Sequence, residues 1–115
     1  MPIDGEHYLI EIPNLSDMPY VSVPLILNNK IYYFEYIWNI RHEKAYLSIY
    51  MLVDNNKKYI VSNSCLTLFN NITRYVTDLE NWSGELYLKP KSFSVFYDYK
   101  QDNIHLDYEL SYIPS

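Results

Sequence analysis

The sequence predicts an all-β domain, a small antiparallel sandwich or barrel of about seven short strands. Three observations predict it. Val21, Val23, Leu25 and Leu27 occupy alternate positions, the period of a strand with one buried face. Asn28-Asn29, two residues that tolerate positive φ, separate that run from the next and suggest a two-residue hairpin. Near the end, Leu106, Tyr108, Leu110 and Tyr112 alternate with His105, Asp107, Glu109 and Ser111, one apolar face and one polar.

Taken in order, residues 8–12 read as a first strand ended by Pro13. A loop lies between Pro13 and Pro19. Residues 20–53 organise the chain as three strands joined by two tight turns. Pro24 has no N–H to give a neighbour, so its strand is an edge strand or is bulged there. Residues 31–38 compete between strand and helix. Their apolar residues lack helical spacing, and β-branched and aromatic side chains fit a pleated surface, so strand is expected. The polar stretch 39–44 is a turn. In the third strand Leu47, Ile49, Met51 and Val53 share a face.

After a turn at 54–57, residues 58–62 are expected to return along 46–53. From Asn63 to Ser83 the pattern is weakest. Leu66, Leu68, Phe69 and Ile72 fit a strand or a short helical turn, and Tyr75, Val76 and Leu79 continue without a clear period. Residues 81–84 read as a turn and 85–88 as a short strand stopped by Pro90. Residues 93–97 fit a strand or an irregular packed segment. Residues 101–103 form a turn before the last strand.

A chain of 115 residues is expected to be one domain, able to bury about two thirds of its unfolded surface. With 49% hydrophobic residues it has material for a core. The 2 glycines are too few for a glycine-rich phosphate loop. Cys65, the single cysteine, allows no internal disulfide and implies no oxidising compartment. The acidic opening at residues 1–6 lacks the apolar run of a signal peptide, and no apolar run approaches the ~20 residues of a membrane helix. Net charge is −5, and Lys57-Lys58 and the pair Lys89 and Lys91 do not make a basic stripe, so nucleic acid is not an expected partner.

Catalytic and metal constellations are not expected. His7, His42 and His105 have no zinc-ligand spacing with each other or with Cys65. Cys65 has neither a base nor an orienting group beside it, and reads as a small buried hydrophobe. Asp107 and Glu109, on one strand face about 7 Å apart, meet the spacing of glycosidase carboxylates of about 5 to 9 Å, but a solvated strand face meets it equally. Asn71-Ile72-Thr73 and Asn81-Trp82-Ser83 match the glycosylation pattern, which means nothing without secretion. No cofactor is expected.

The 14 tyrosines admit two readings. They are strand residues on a half-buried sheet, or amphipathic rings built to be covered by neighbouring proteins. Tyr32, Phe34, Tyr36 and Trp38 alternate along one face of their strand, and Ile31, Tyr33, Glu35 and Ile37 along the other. The first set reads as core more readily than as a sugar-stacking platform, because a charge sits in the second. Both faces cannot be fully buried within one domain, which leaves apolar or aromatic surface needing a partner. A carbohydrate-binding module using surface aromatics, with Trp38 and Trp82 as its test positions, is the alternative.

Several pieces in order resemble a known family. They are Ile12-Pro13, then Pro19-Tyr20-Val21-Ser22-Val23, Leu27-Asn28-Asn29-Lys30-Ile31-Tyr32 and Tyr36-Ile37-Trp38-Asn39-Ile40-Arg41. Ala45-Tyr46-Leu47-Ser48-Ile49-Tyr50, Asn70-Asn71-Ile72, Gly84-Glu85-Leu86 and a closing Leu110-Ser111-Tyr112 follow. This series resembles the cyanophage-type baseplate plug family of contractile-tail phages and tail-like bacteriocins, over nearly the whole chain. Asn29 and Asn56 stand where that family commonly has turn glycines, and Ala45 where it usually has tryptophan. The resemblance implies a structural, non-enzymatic subunit at the central hub of a baseplate. Its partners would be other baseplate, hub and tail-tube proteins and copies of itself in a symmetric particle assembled in the bacterial cytoplasm. It implies no membrane and no sequence-specific nucleic acid as partner. The contact rings expected on exposed faces and loops are Tyr32, Tyr36, Tyr75 and Trp82.

Overall fold

In the computed structural model, described over residues 8–92 and 98–114, the chain forms two antiparallel sheets. The strands are β1 (Tyr8–Glu11), β2 (Tyr20–Leu27), β3 (Lys30–Asn39), β4 (Lys44–Val53), β5 (Asn56–Cys65), β6 (Glu85–Pro90) and β7 (Tyr108–Ile113). One helical turn, α1 (Ile104–Asp107), precedes β7. Sheet order is β2-β3-β4-β5 in the larger sheet and β1-β7-β6 in the smaller. The all-β expectation holds. Residues 93–97, His7 and the acidic opening lie outside the described residues.

The larger sheet is a meander set by local turn chemistry. Asn28 and Asn29 take φ of 53° and 63°, and Asp54 and Asn55 take 52° and 64°. Paired positive φ at both turn centres is the geometry whose twist matches the flanking strands. Pro24 lies on β2, an edge strand of its sheet, opposite Tyr33 in register. At the other edge, the β4–β5 register shifts between Leu47 and Tyr50, and Asn63 on β5 has φ of 52°. Such irregularities bend an edge away from stray pairing.

The two sheets face each other across one core. Phe34, Leu47 and Ile49 from the larger sheet are fully buried with Leu86, Leu88 and Leu110 from the smaller. Two aromatic chains span the gap. At one end Tyr32 meets Trp82 edge-on at 5.1 Å, and Trp82 meets Tyr112 at 5.5 Å. At the other, Trp38 meets Tyr99 at 6.1 Å and Tyr99 meets Tyr108 at 6.0 Å. Edge-to-face pairs of this kind add to the energy of area burial.

Residues 66–84 contain no named strand. They are held instead by tertiary contacts. Leu66 and Ile72 plug the core, and the Asn71 side-chain oxygen accepts the N–H groups of Thr73 at 3.0 Å and Leu86 at 3.2 Å. Phe69 and Ile72 N–H donate to the carbonyls of Leu88 and Leu86, which covers the free edge of β6. Gly84 has φ of 101°, and a Cβ there would lie 2.6 Å from the Ile113 carbonyl oxygen.

The last strand starts later than its alternation predicts. Leu106 sits exposed on α1, so Asp107 and Glu109 do not share a strand face. The polar side of β7 is also not solvated. As the central strand it is walled by neighbours: Glu109 lies in register between Glu11 and Lys89, with the Lys89 ammonium 3.7 Å away.

Candidate functional site

Alternation along β3 decides which rings are inside. Tyr32, Phe34, Tyr36 and Trp38 point into the sandwich, all buried. This corrects the expectation that Tyr32 and Tyr36 are contact rings, since they are 2% and 1% exposed. Trp82 is corrected in the same way at 3%, because the 81–84 turn folds its indole between Tyr32 and Tyr112. The sugar-platform alternative loses both Trp38 and Trp82 to the core. Of the four rings, only Tyr75 is on the surface, at 82%. It stands beside a groove of about 300 Å³ between β5 and the 72–76 loop, lined by Ile60, Val61 and Val76 together with Ser62 and Ser64.

The other side of β3 carries the surface feature that matters. Register places Pro24, Tyr33, Tyr50 and Tyr59 in one row across four strands. One row over lie Ser22, Glu35 and Ser48, and at the hairpin end Ile26 faces Ile31. Tyr33 and Tyr50 stack at 5.0 Å with ring planes 9° apart, and Tyr59 leans on Tyr50 at 5.4 Å. One ring face of Tyr50 is therefore taken by Tyr33, and Tyr59 tilts against the same ring. Ile26 is 72% exposed and Ile31 55%, with Tyr20 and Tyr59 also exposed. The outer face is an aromatic and aliphatic surface, not a wet one.

Glu35 lies within it. Its carboxylate accepts the Tyr20 hydroxyl at 2.9 Å and the Tyr59 hydroxyl at 3.4 Å, and the Lys57 ammonium stands 3.5 Å away. The Lys57 ammonium also rests 4.7 Å above the Tyr50 ring, and the Tyr50 hydroxyl shares a hydrogen bond with Ser22 at 3.2 Å. These contacts show in the acidities. The bond to Glu35 holds the Tyr20 phenol above its ordinary range. For Lys57, desolvation pulls the ammonium down, and the oxygens of Tyr50, Tyr59 and Glu35 more than offset that.

A second concavity, of about 760 Å³, opens at the Trp38 end of the sandwich, among Ser16, Ile40, His42, Lys44 and Asp98. Within it Lys44 and Asp98 form an ion pair at 2.5 Å, and His42 Nδ1 bonds the Tyr46 hydroxyl at 2.9 Å. Among the described residues no three His, Cys, Asp or Glu side chains converge as a metal set. None of the helices described is long and apolar enough to cross a membrane. Asn81, of the two glycosylation-pattern positions, bonds Asp78 within its own loop, and Asn71 bonds both its loop and β6.

Sequence reasoning missed Tyr20, Tyr33 and Tyr59 as the rings of the outer face, with Tyr50 buried beneath them. The signal was Glu35, whose charge marks the solvent side of β3 and so assigns Tyr33 to it. No protein family, no curated protein and no solved structure matches the chain.

Proposed function

We propose that this chain is a structural subunit that works by protein–protein contact through the outer face of β2–β5. The resemblance to baseplate plug proteins supplies the setting. In that reading the chain sits at the central hub of a contractile phage tail or tail-like bacteriocin, against hub, tube and other baseplate proteins, and performs no chemistry.

One observation carries the proposal: after eight rings are sealed in the core, Tyr20 and Tyr59 stay exposed and Tyr33 half-buried on a four-stranded face with exposed Ile26 and Ile31. Contiguous apolar surface of this kind marks contact sites, and tyrosine is enriched in them. Sugar stacking is the poorer reading of the same face, because Tyr33 and Tyr50 spend a ring face on each other.

The test is rate-zonal sedimentation of a lysate from cells that produce the chain. The proposal expects the chain in a fast-sedimenting particle together with tube and hub proteins. It expects Ile26→Asp with Ile31→Asp to release a folded chain from that particle. Native chain found entirely as a free species near its mass of 13.8 kDa overturns the proposal.

A further inference from the structure

The Glu35 cluster has the form of a seat for a cation. The carboxylate lies at its base, with its side chain 7% exposed. The Tyr50 ring forms one wall, and the exposed phenols of Tyr20 and Tyr59 form the rim. A carboxylate this covered calls for strong donors. Tyr20 supplies one at 2.9 Å, but Tyr59 at 3.4 Å and Lys57 at 3.5 Å are long against the roughly 2.7–2.9 Å of a charge-assisted bond. The occupant of the seat is the chain's own Lys57, whose side chain is 47% exposed and whose ammonium lies over Tyr50 at 4.7 Å. That is carboxylate and ring quadrupole acting together on one cation, loosely held.

We infer that this seat receives a lysine or arginine side chain of a partner protein, which displaces Lys57 as the two surfaces close. The inference rests on the assembly reading above and names the partner's chemistry: one basic side chain set in an apolar patch. The apolar part answers Ile26 and Ile31; the basic part answers Glu35 and a chain of net charge −5. A second copy of this chain carries the same −5 and is the less complementary occupant. Arginine fits better than lysine, because its guanidinium sheds water more readily and stacks on an aromatic face.

The experiment titrates the full chain, with tyrosine ring resonances followed by NMR, against n-butylguanidinium. The neutral n-butylurea and matched sodium chloride are controls. Saturable shifts of Tyr20, Tyr50 and Tyr59 are expected with the cation and not with the urea. Lys57→Ala removes the resident competitor and tightens binding by roughly two- to five-fold. Glu35→Gln removes the charge, keeps an acceptor oxygen for one phenol and presents an N–H to the other, and loses the saturable response. If that variant unfolds by circular dichroism, the Lys57→Ala and urea arms decide. The inference is overturned by no saturable shift in either the native chain or Lys57→Ala, by equal response to the urea, or by Lys57→Ala leaving affinity unchanged or weaker. Concentration-dependent self-association that moves the same rings without probe gives the seat to a second copy and also overturns it. An inert seat in a chain that sediments with the particle defeats this inference alone. A responsive seat in a chain that sediments alone defeats the assembly reading.

Discussion

Two substitutions that delete the same atom should move stability in opposite directions. The Tyr99 hydroxyl is buried and used twice: it accepts the Ala45 N–H at 3.1 Å and donates to the Leu66 carbonyl at 2.7 Å. Leu66 N–H donates to the Ala45 carbonyl at 2.9 Å, so the phenol completes the second half of a ladder step just beyond the end of β5. Tyr99→Phe strands one donor and one acceptor on fully buried residues. At about 1–3 kcal/mol for each buried group left unpaired, part of it relieved by relaxation, the loss is about 3 kcal/mol. For a domain of this size that is about 12 °C in Tm. Tyr36 is as buried, and its hydroxyl has no protein partner among the described residues. Tyr36→Phe removes an already unpaired group, so its Tm should hold or rise by up to about 4 °C. Thermal melts and urea titrations with unchanged m-value measure both. If the two variants fall equally, or Tyr36→Phe falls further, the reasoning about which phenols are structural is wrong.

Other outcomes follow from the same geometry. Gly84→Ala combines φ of 101° with a Cβ 2.6 Å from the Ile113 carbonyl oxygen, and should destabilise by about 3 kcal/mol in urea unfolding. In the first hairpin Asn29, at φ of 63°, should accept glycine within about 0.5 kcal/mol, whereas Asn29→Val should lose about 1–2 kcal/mol. Burial raises the Tyr36 and Tyr99 phenols above the ordinary 10.0, so the folded chain holds protons that the unfolded chain releases. That contribution is whole below pH 10.0 and is lost as pH rises beyond it. Denaturation midpoints should therefore fall along an alkaline limb, and Tyr36→Phe should flatten that limb.

The larger sheet was legible because its instructions are local. Asn28-Asn29 and Asp54-Asn55 turn the chain by their own φ preferences, Pro24 marks an edge, and period two does the rest. Residues 66–84 were illegible for the opposite reason. Their conformation depends on the Asn71 side chain reaching β6 and on Leu66 and Ile72 entering a core built by strands far along the chain. Alternation overran at Leu106, because a single helical turn of four residues is too short to write its own period. At the site, Tyr32, Tyr36 and Trp82 were expected outside and lie inside. Alternation assigns a residue to one of two faces, and only Glu35 indicated which face meets solvent. Trp82 belongs to a turn, where no periodicity exists to place a ring.

The central claim is that the outer face of β2–β5 is covered by another protein where the chain does its work. Hydroxyl-radical footprinting of Tyr20 and Tyr59, read by mass spectrometry on the purified chain and on gently lysed producing cells, tests it directly. Both rings are exposed in the isolated chain. The account predicts strong labelling in isolation and protection of both rings in the lysate, with Leu106 on the far sheet's helical turn as the internal reference. Equal labelling of Tyr20 and Tyr59 in the two samples contradicts it.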